Sequence, residues 1–228
     1  MDETDHGHGH GHGLVVLIHG LARTQASMRL LSMRLRRAGF RTAFARYDSR
    51  RMRVNEAVDA VAKQVEKMER DGPLHLVGHS LGGVVALRVK QDRGELKVHR
   101  VVQLGSPNLG SAAARTLSEM RLARDFFGPV LSELSDDLDQ EDAPDPDVMA
   151  IAGASMPRWL SQHYGMRGYN DGLVSVRSAW GWAAGKRLRV ESIHGWLPLS
   201  ADVADDVEAF LKTGDVPEEP SMDRAGND

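Results

Sequence analysis

A serine hydroxyl is a weak nucleophile at neutral pH, and it becomes useful only where the chain holds it beside a base. The stretch Gly78-His79-Ser80-Leu81-Gly82-Gly83 has the residue types for this. It follows the apolar run Leu74-His75-Leu76-Val77 and leads into Val84-Val85-Ala86-Leu87, so Gly-x-Ser-x-Gly falls between a predicted strand and a predicted helix. On such a strained turn the serine side chain projects from the carboxyl edge of a sheet. A Cβ at position 78 or 82 would crowd the turn, and glycine removes it. The helix that follows aims its positive end at the place where anionic charge develops. An ordinary glycine-rich turn is the competing reading, and the flanking strand and helix argue against it. Ser80 is the candidate nucleophile.

The nucleophile needs a base, and the chain has ten histidines. His6, His8, His10 and His12 belong to an alternating His/Gly tract at the start. His75 and His99 lie in or near strands, away from the reactive edge. His79 is next to Ser80 but projects in a different direction. His194 follows the last predicted strand and precedes the final helix, where an imidazole can reach back to Ser80; His163, in a loop, is the rival. Asp171, in Asn170-Asp171-Gly172-Leu173-Val174, lies between serine and histidine in chain order and can orient the base. Asn-Asp-Gly also makes a good turn for its own sake. Asp145 and Asp147 precede a strand, at the wrong edge. A developing oxyanion needs donors fixed in advance. The backbone N–H of Leu81 is one, and the turn after the first strand offers that of Leu21, with Ala22 as a further donor.

The elements that position these groups alternate. Leu14–Ile18, Thr42–Tyr47, Leu74–Val77, Val98–Leu104, Val148–Ala152 and Arg187–Ile193 read as strands. Helices are predicted over 26–38, Val54–Met68, Leu81–Lys90 and Ala201–Leu211 from their apolar spacing. This rhythm predicts an α/β fold, a doubly wound and mostly parallel sheet of about six strands with the site at the strands' carboxyl ends. Between about 108 and 147 the rhythm breaks, and apolar positions with helical spacing suggest a short helical, lid-like insertion or a segment packed on the core. Residues 1–13 read as a flexible His/Gly tail, 14–213 as one domain, and 214–228 as a disordered acidic tail. Arginines at 34, 36, 37, 41, 46, 50, 51 and 53 read as a solvated face, with an anionic substrate or surface as the alternative.

Composition narrows the classes. A net charge of −3 and a pI near 6.4 give no electrostatic footprint for nucleic acid. With no cysteine there is no disulfide, thiolate metal site or cysteine nucleophile. No apolar run is long enough to span a bilayer and no signal peptide is apparent, which makes a cytoplasmic location the expectation.

Leu14–Ala22, Gly78–Gly83, Gly105–Gly110, Asn170–Val176 and His194 together resemble the α/β-hydrolase fold, and more narrowly its small bacterial esterases and triacylglycerol lipases. The resemblance spans roughly residues 14–211 and implies a reduced, six-strand member. It implies Ser80, Asp171 and His194 as a catalytic triad, Leu21 and Leu81 as oxyanion donors, and hydrolysis of a small acyl ester or lipid through an acyl-enzyme. No cofactor, metal or nucleic-acid partner is called for. A thioesterase or amidase with the same triad, and a non-catalytic binding protein on the same fold, are the alternatives.

Overall fold

The computed structural model describes residues 11–111, 114, 128–133, 143–157 and 168–216. Strands β1 (Leu14–Ile18), β2 (Arg41–Phe44), β3 (Leu74–His79), β4 (Val98–Leu104), β5 (Asp145–Gly153) and β6 (Ala184–Val190) form one sheet. Their order is β2-β1-β3-β4-β5-β6, and every pairing is parallel. Four longer helices flank it: α1 (Arg29–Arg37), α2 (Val54–Glu66), α3 (Leu81–Asp92) and α4 (Ala201–Thr213).

The uninterrupted apolar character of β1 follows from its position. Leu14, Val16 and Ile18 share a buried cluster with Val58 and Val61 of α2 and Val85 and Val89 of α3. Val15 and Leu17 pack on the opposite face with Leu31 and Leu35 of α1 and Val207 and Phe210 of α4. Helices cover both faces, so neither parity of the strand meets water. Burying each such branched side chain stabilises the fold by about 1.5–3 kcal/mol.

Helix ends have local causes. α1 stops in a Schellman arrangement: Gly39, at φ 95°, donates to Arg36 and Phe40 donates to Leu35. At the start of α2 the Arg53 N–H donates to the Glu56 carboxylate at 2.7 Å. The neighbouring Val54 N–H donates to Glu133 at 2.9 Å, and Arg53 pairs with the same carboxylate at 3.1 Å. Glu133 closes a one-turn helix, Val130–Glu133, whose Val130 is fully buried in the α2–α3 cluster. This turn of the 108–147 stretch is thus anchored on the sheet domain. Most of that stretch, including the residues expected to form a lid, lies outside the described residues, as do residues 1–10, His163 and 217–228.

Several boundaries differ from the sequence expectation, and β5 begins at Asp145, so Asp145 and Asp147 lie within its first residues instead of preceding it. β2 ends at Phe44 instead of Tyr47, because the Tyr47 hydroxyl donates to the His19 carbonyl at 2.6 Å and its ring stacks on His19, drawing the chain off the edge. β6 runs from Ala184 to Val190 instead of 187–193. Its first residues pair with the start of β5, and the chain after Val190 turns through a Ser192-to-Val190 hydrogen bond. Val176–Trp180, to which the sequence reading assigned no element, is a short helix capped by Ser175, whose hydroxyl accepts from the Ser178 N–H.

The sheet reverses its winding between β1 and β3, the topological switch point where open α/β sheets place their sites. The chain is crowded here. A Cβ at Gly82 would collide with the carbonyls of Ile18 and His19, whereas one at Gly94, in an exposed turn, would meet nothing within 4 Å. Gly82→Ala should therefore lower unfolding stability by about 1–3 kcal/mol in urea, and Gly94→Ala should be near neutral. Equal midpoints for the two variants would contradict the packing described.

β3 also carries two buried histidines. Burial first, then the nearby charges of His99 and Arg100, lowers the His75 pKa to about 4. Burial first, then His194, lowers that of His79 to about 3. The unfolded chain takes up these protons near pH 6.5, before the folded one does. Stability therefore falls as pH drops from 6.5 through these values, and is insensitive to both groups above that range. Relative to His75→Leu, the wild type should lose on the order of 2 kcal/mol between pH 7 and pH 4. Parallel stability curves for the two proteins would rule this out.

Candidate active site

Ser80 is the residue between β3 and α3, at φ 54° and ψ −125°. This is a region that a side chain enters at a cost of about 1–3 kcal/mol, so neighbours must hold it there. The Ser80 N–H continues the sheet ladder by donating to the Leu104 carbonyl at 2.9 Å, while its own carbonyl accepts from Gly83 at 2.9 Å. Gly78 and Gly82 approach so closely that a Cβ at 78 would strike the Gly82 carbonyl. Gly20, after β1, faces the serine: a Cβ there would sit 3.0 Å from that of Ser80. Strand ends β1, β3 and β4 thus converge on one residue.

Asp171 and His194 meet at the same edge. His194 opens a 3-10 turn, His194–Leu199, four residues beyond the end of the last strand. Its Nδ1 lies 2.7 Å from Asp171 Oδ2, and its backbone N–H donates to the Asp171 carbonyl at 2.9 Å. The other carboxylate oxygen of Asp171 accepts from the N–H groups of Leu173 and Val174 at 2.9 and 2.8 Å. Both residues are buried, the aspartate at 2% exposure. The turn reading and the site reading of Asn170-Asp171-Gly172 hold together, since Asn170 Oδ1 caps Gly172 N–H at 3.1 Å and so shapes the loop that presents Asp171.

Two glycines make room for this pair. A Cβ at Gly105, which follows β4 at φ 57°, would meet Asp171 Oδ2 at 2.9 Å and His194 Nδ1 at 3.2 Å. At Gly153, the end of β5, it would press on Asp171 Cβ at 2.8 Å. The signal for Gly105 is present in the sequence as a glycine directly after a strand; that for Gly153 depends on a contact across 18 residues.

His79 has a part that sequence reasoning missed. Its Nε2 lies 3.0 Å from the His194 carbonyl, which it can reach only as a donor, and the two rings sit 4.8 Å apart. Burial keeps it neutral. It braces the His194 backbone without placing a second positive charge beside that imidazole.

Among the described residues the N–H groups of Leu21 and Leu81 donate to no protein group. Ala22 differs from expectation: at φ 53° its N–H donates to Ser49 Oγ at 3.1 Å, so it is already engaged. The described residues contain no group of three or more His, Asp or Glu able to hold a metal ion, and no helix long and apolar enough to cross a membrane.

Comparison with known proteins agrees with this architecture. Among solved structures, a carboxyl esterase of metagenomic origin matches with a TM-score of 0.61 at 20% identity, over 79% of this chain and 64% of that one. The mature form of a Bacillus licheniformis lipase matches with a TM-score of 0.66 at 15% identity, over 94% and 96%. A thioesterase from the prodiginine biosynthetic pathway of Streptomyces coelicolor matches with a TM-score of 0.54 at 15% identity, over 88% and 85%. At these identities the likeness is one of fold. No curated protein matches the sequence. The family model described as the alpha/beta hydrolase family matches residues 15–225, and the chain belongs to that family.

Proposed function

We propose that the protein is a serine hydrolase that cleaves carboxylic esters through an acyl-enzyme. Ser80 is the nucleophile, His194 the base, Asp171 the group that orients it, and the N–H groups of Leu21 and Leu81 bind the oxyanion. One observation carries this reading: a strained Ser80 stands on the edge where the buried His194–Asp171 pair closes at 2.7 Å.

The chemistry follows from the hydrogen bonds. Asp171 accepts at Nδ1, which fixes the His194 tautomer with its proton there and leaves Nε2 as the basic nitrogen. His194 takes the Ser80 proton as the oxygen attacks the acyl carbon. Asp171 stabilises the imidazolium that results, and the N–H groups of Leu173 and Val174 hold its carboxylate in place. The tetrahedral oxygen meets two backbone donors that are not otherwise engaged, so they need no reorganisation as charge develops. Collapse expels the alcohol, which leaves with the proton held by His194. Water, deprotonated by the same histidine, then releases the acid and restores the serine.

The test is hydrolysis of p-nitrophenyl esters from short to long acyl chains, with a thioester and an amide of one acyl group alongside. Ser80→Ala should lower kcat by about 10⁴-fold or more, and Asp171→Asn by about 10⁴-fold with stability retained. Activity that survives in Ser80→Ala, or a wild type inactive on every ester, would overturn the reading. Faster turnover of the thioester or the amide would move the substrate class while keeping the triad.

A further inference from the structure

Beside the turn that carries Leu21 lies a cleft of about 560 Å³, bounded by Ala22, Arg23, Arg46, Tyr47 and Asp48 among others. An adjoining hollow of about 340 Å³ shares Arg23, Arg46 and Tyr47 with it and adds His19 and Arg29. The polar groups of the floor are engaged with one another. Tyr47 stacks on His19 at 4.6 Å between ring centres and donates to the His19 carbonyl, and Ser49 Oγ accepts from Ala22 N–H.

The walls are a different matter. Arg23 comes from the turn after β1, Arg29 from the first turn of α1, and Arg46 from the segment after β2. All three are exposed, and none of their guanidinium groups has an ion pair or hydrogen bond among the described residues. Asp48 is the acidic side chain in the lining, and it is engaged by the Arg50 N–H at 3.2 Å and by Arg51 at 3.7 Å. A solvated helix face would spread its arginines along one element. Here three separate segments direct them at one hollow.

The hollow also adjoins the reacting groups. An Arg23 guanidinium nitrogen lies 3.0 Å from where a Cβ on Gly195, the residue after His194, would stand. His19 and Ala22 bracket Gly20-Leu21, the turn that faces Ser80.

We infer that this hollow is a phosphate-binding subsite, so that the substrate is an ester or thioester carrying a phosphate monoester at a distance from its acyl carbon. The substrate half of this inference rests on the reading of Ser80 as nucleophile; the binding half does not. A carboxylate carries one charge and fills a single guanidinium fork. A phosphate monoester carries about −1.5 to −2 charges near neutral pH on three acceptor oxygens, which matches several arginines converging without a counter-ion. The phosphate can belong to a phosphorylated alcohol, as in an acyl glycerol phosphate, or to a phosphorylated thiol.

Calorimetric titration of the Ser80→Ala protein with hexyl phosphate, hexanoate and hexanol separates binding from turnover. Hexyl phosphate should bind at least tenfold tighter than either of the others. Arg29→Gln/Arg46→Gln in the same background should erase that difference, and raising the salt concentration should weaken binding. With the Ser80 enzyme, kcat/KM for a phosphorylated ester should exceed that for its dephosphorylated counterpart at least tenfold, and the double variant should collapse the ratio. Running an acyl glycerol phosphate against the thioester of a phosphorylated thiol identifies the source. Hexyl phosphate binding no tighter than hexanol, or unaffected by the double variant, would overturn the subsite even if Ser80-dependent ester hydrolysis is found. Arginine-dependent phosphate binding in a protein that hydrolyses no ester would sustain the subsite and defeat the hydrolase reading instead.

Discussion

The turn at Ser80 is a conformation that an isolated chain would leave. At φ 54° and ψ −125° it stores about 1–3 kcal/mol, and neighbouring groups hold it there. The Leu104 carbonyl holds its amide from one side, the carbonyls of Ile18 and His19 crowd Gly82 from the other, and Gly20 closes over its side chain. Each of these partners is a strand end. The parallel sheet, with helices on both faces, is what keeps three strand ends in register closely enough to clamp one residue. Stability spent across the whole core appears locally as a fixed direction for one hydroxyl.

The same economy of movement governs charge. Asp171 is nearly inaccessible to water, which would raise the energy of a carboxylate were it not given three hydrogen bonds, two from backbone amides and one from His194. His79 approaches His194 as a neutral donor to its carbonyl, so the backbone of the proposed base is braced without electrostatic opposition to an imidazolium. The helix α3 begins at Leu81 and points its N-terminus at the same edge. In a low-dielectric pocket these fixed dipoles act more strongly than they would in water. On the proposed reading, the site meets charge that appears and then disappears.

Much of this was legible in the chain because the governing patterns are local. The apolar run that becomes β1 is continuous, and continuity is what double burial in a parallel sheet requires. Gly78, Ser80 and Gly82 mark their turn by type and spacing alone. The candidate pair Asp171 and His194 could be singled out by chain order and by falling after strands, and the structure brings the two into hydrogen-bond contact. The features that escaped depend on contacts between distant segments. Nothing near His79 reveals that it will meet a carbonyl 115 residues away, and Gly153 is confined by the side chain of Asp171. Arg23 and Arg29 look like ordinary surface cations until the fold turns them toward Arg46. Tyr47 reads as the end of a strand, yet its hydroxyl is drawn to His19 and the strand ends sooner.

The central claim is that the fold activates Ser80 through the His194–Asp171 pair. The most direct measurement is reaction with an uncharged alkyl phosphonofluoridate, followed by intact-mass and peptide mass spectrometry. The account predicts one phosphonyl adduct per chain, located at Ser80, forming rapidly in the native protein. It also predicts that labelling is absent after urea unfolding and slowed by orders of magnitude in His194→Gln. Labelling spread over several residues, or equally fast labelling in His194→Gln, would contradict it.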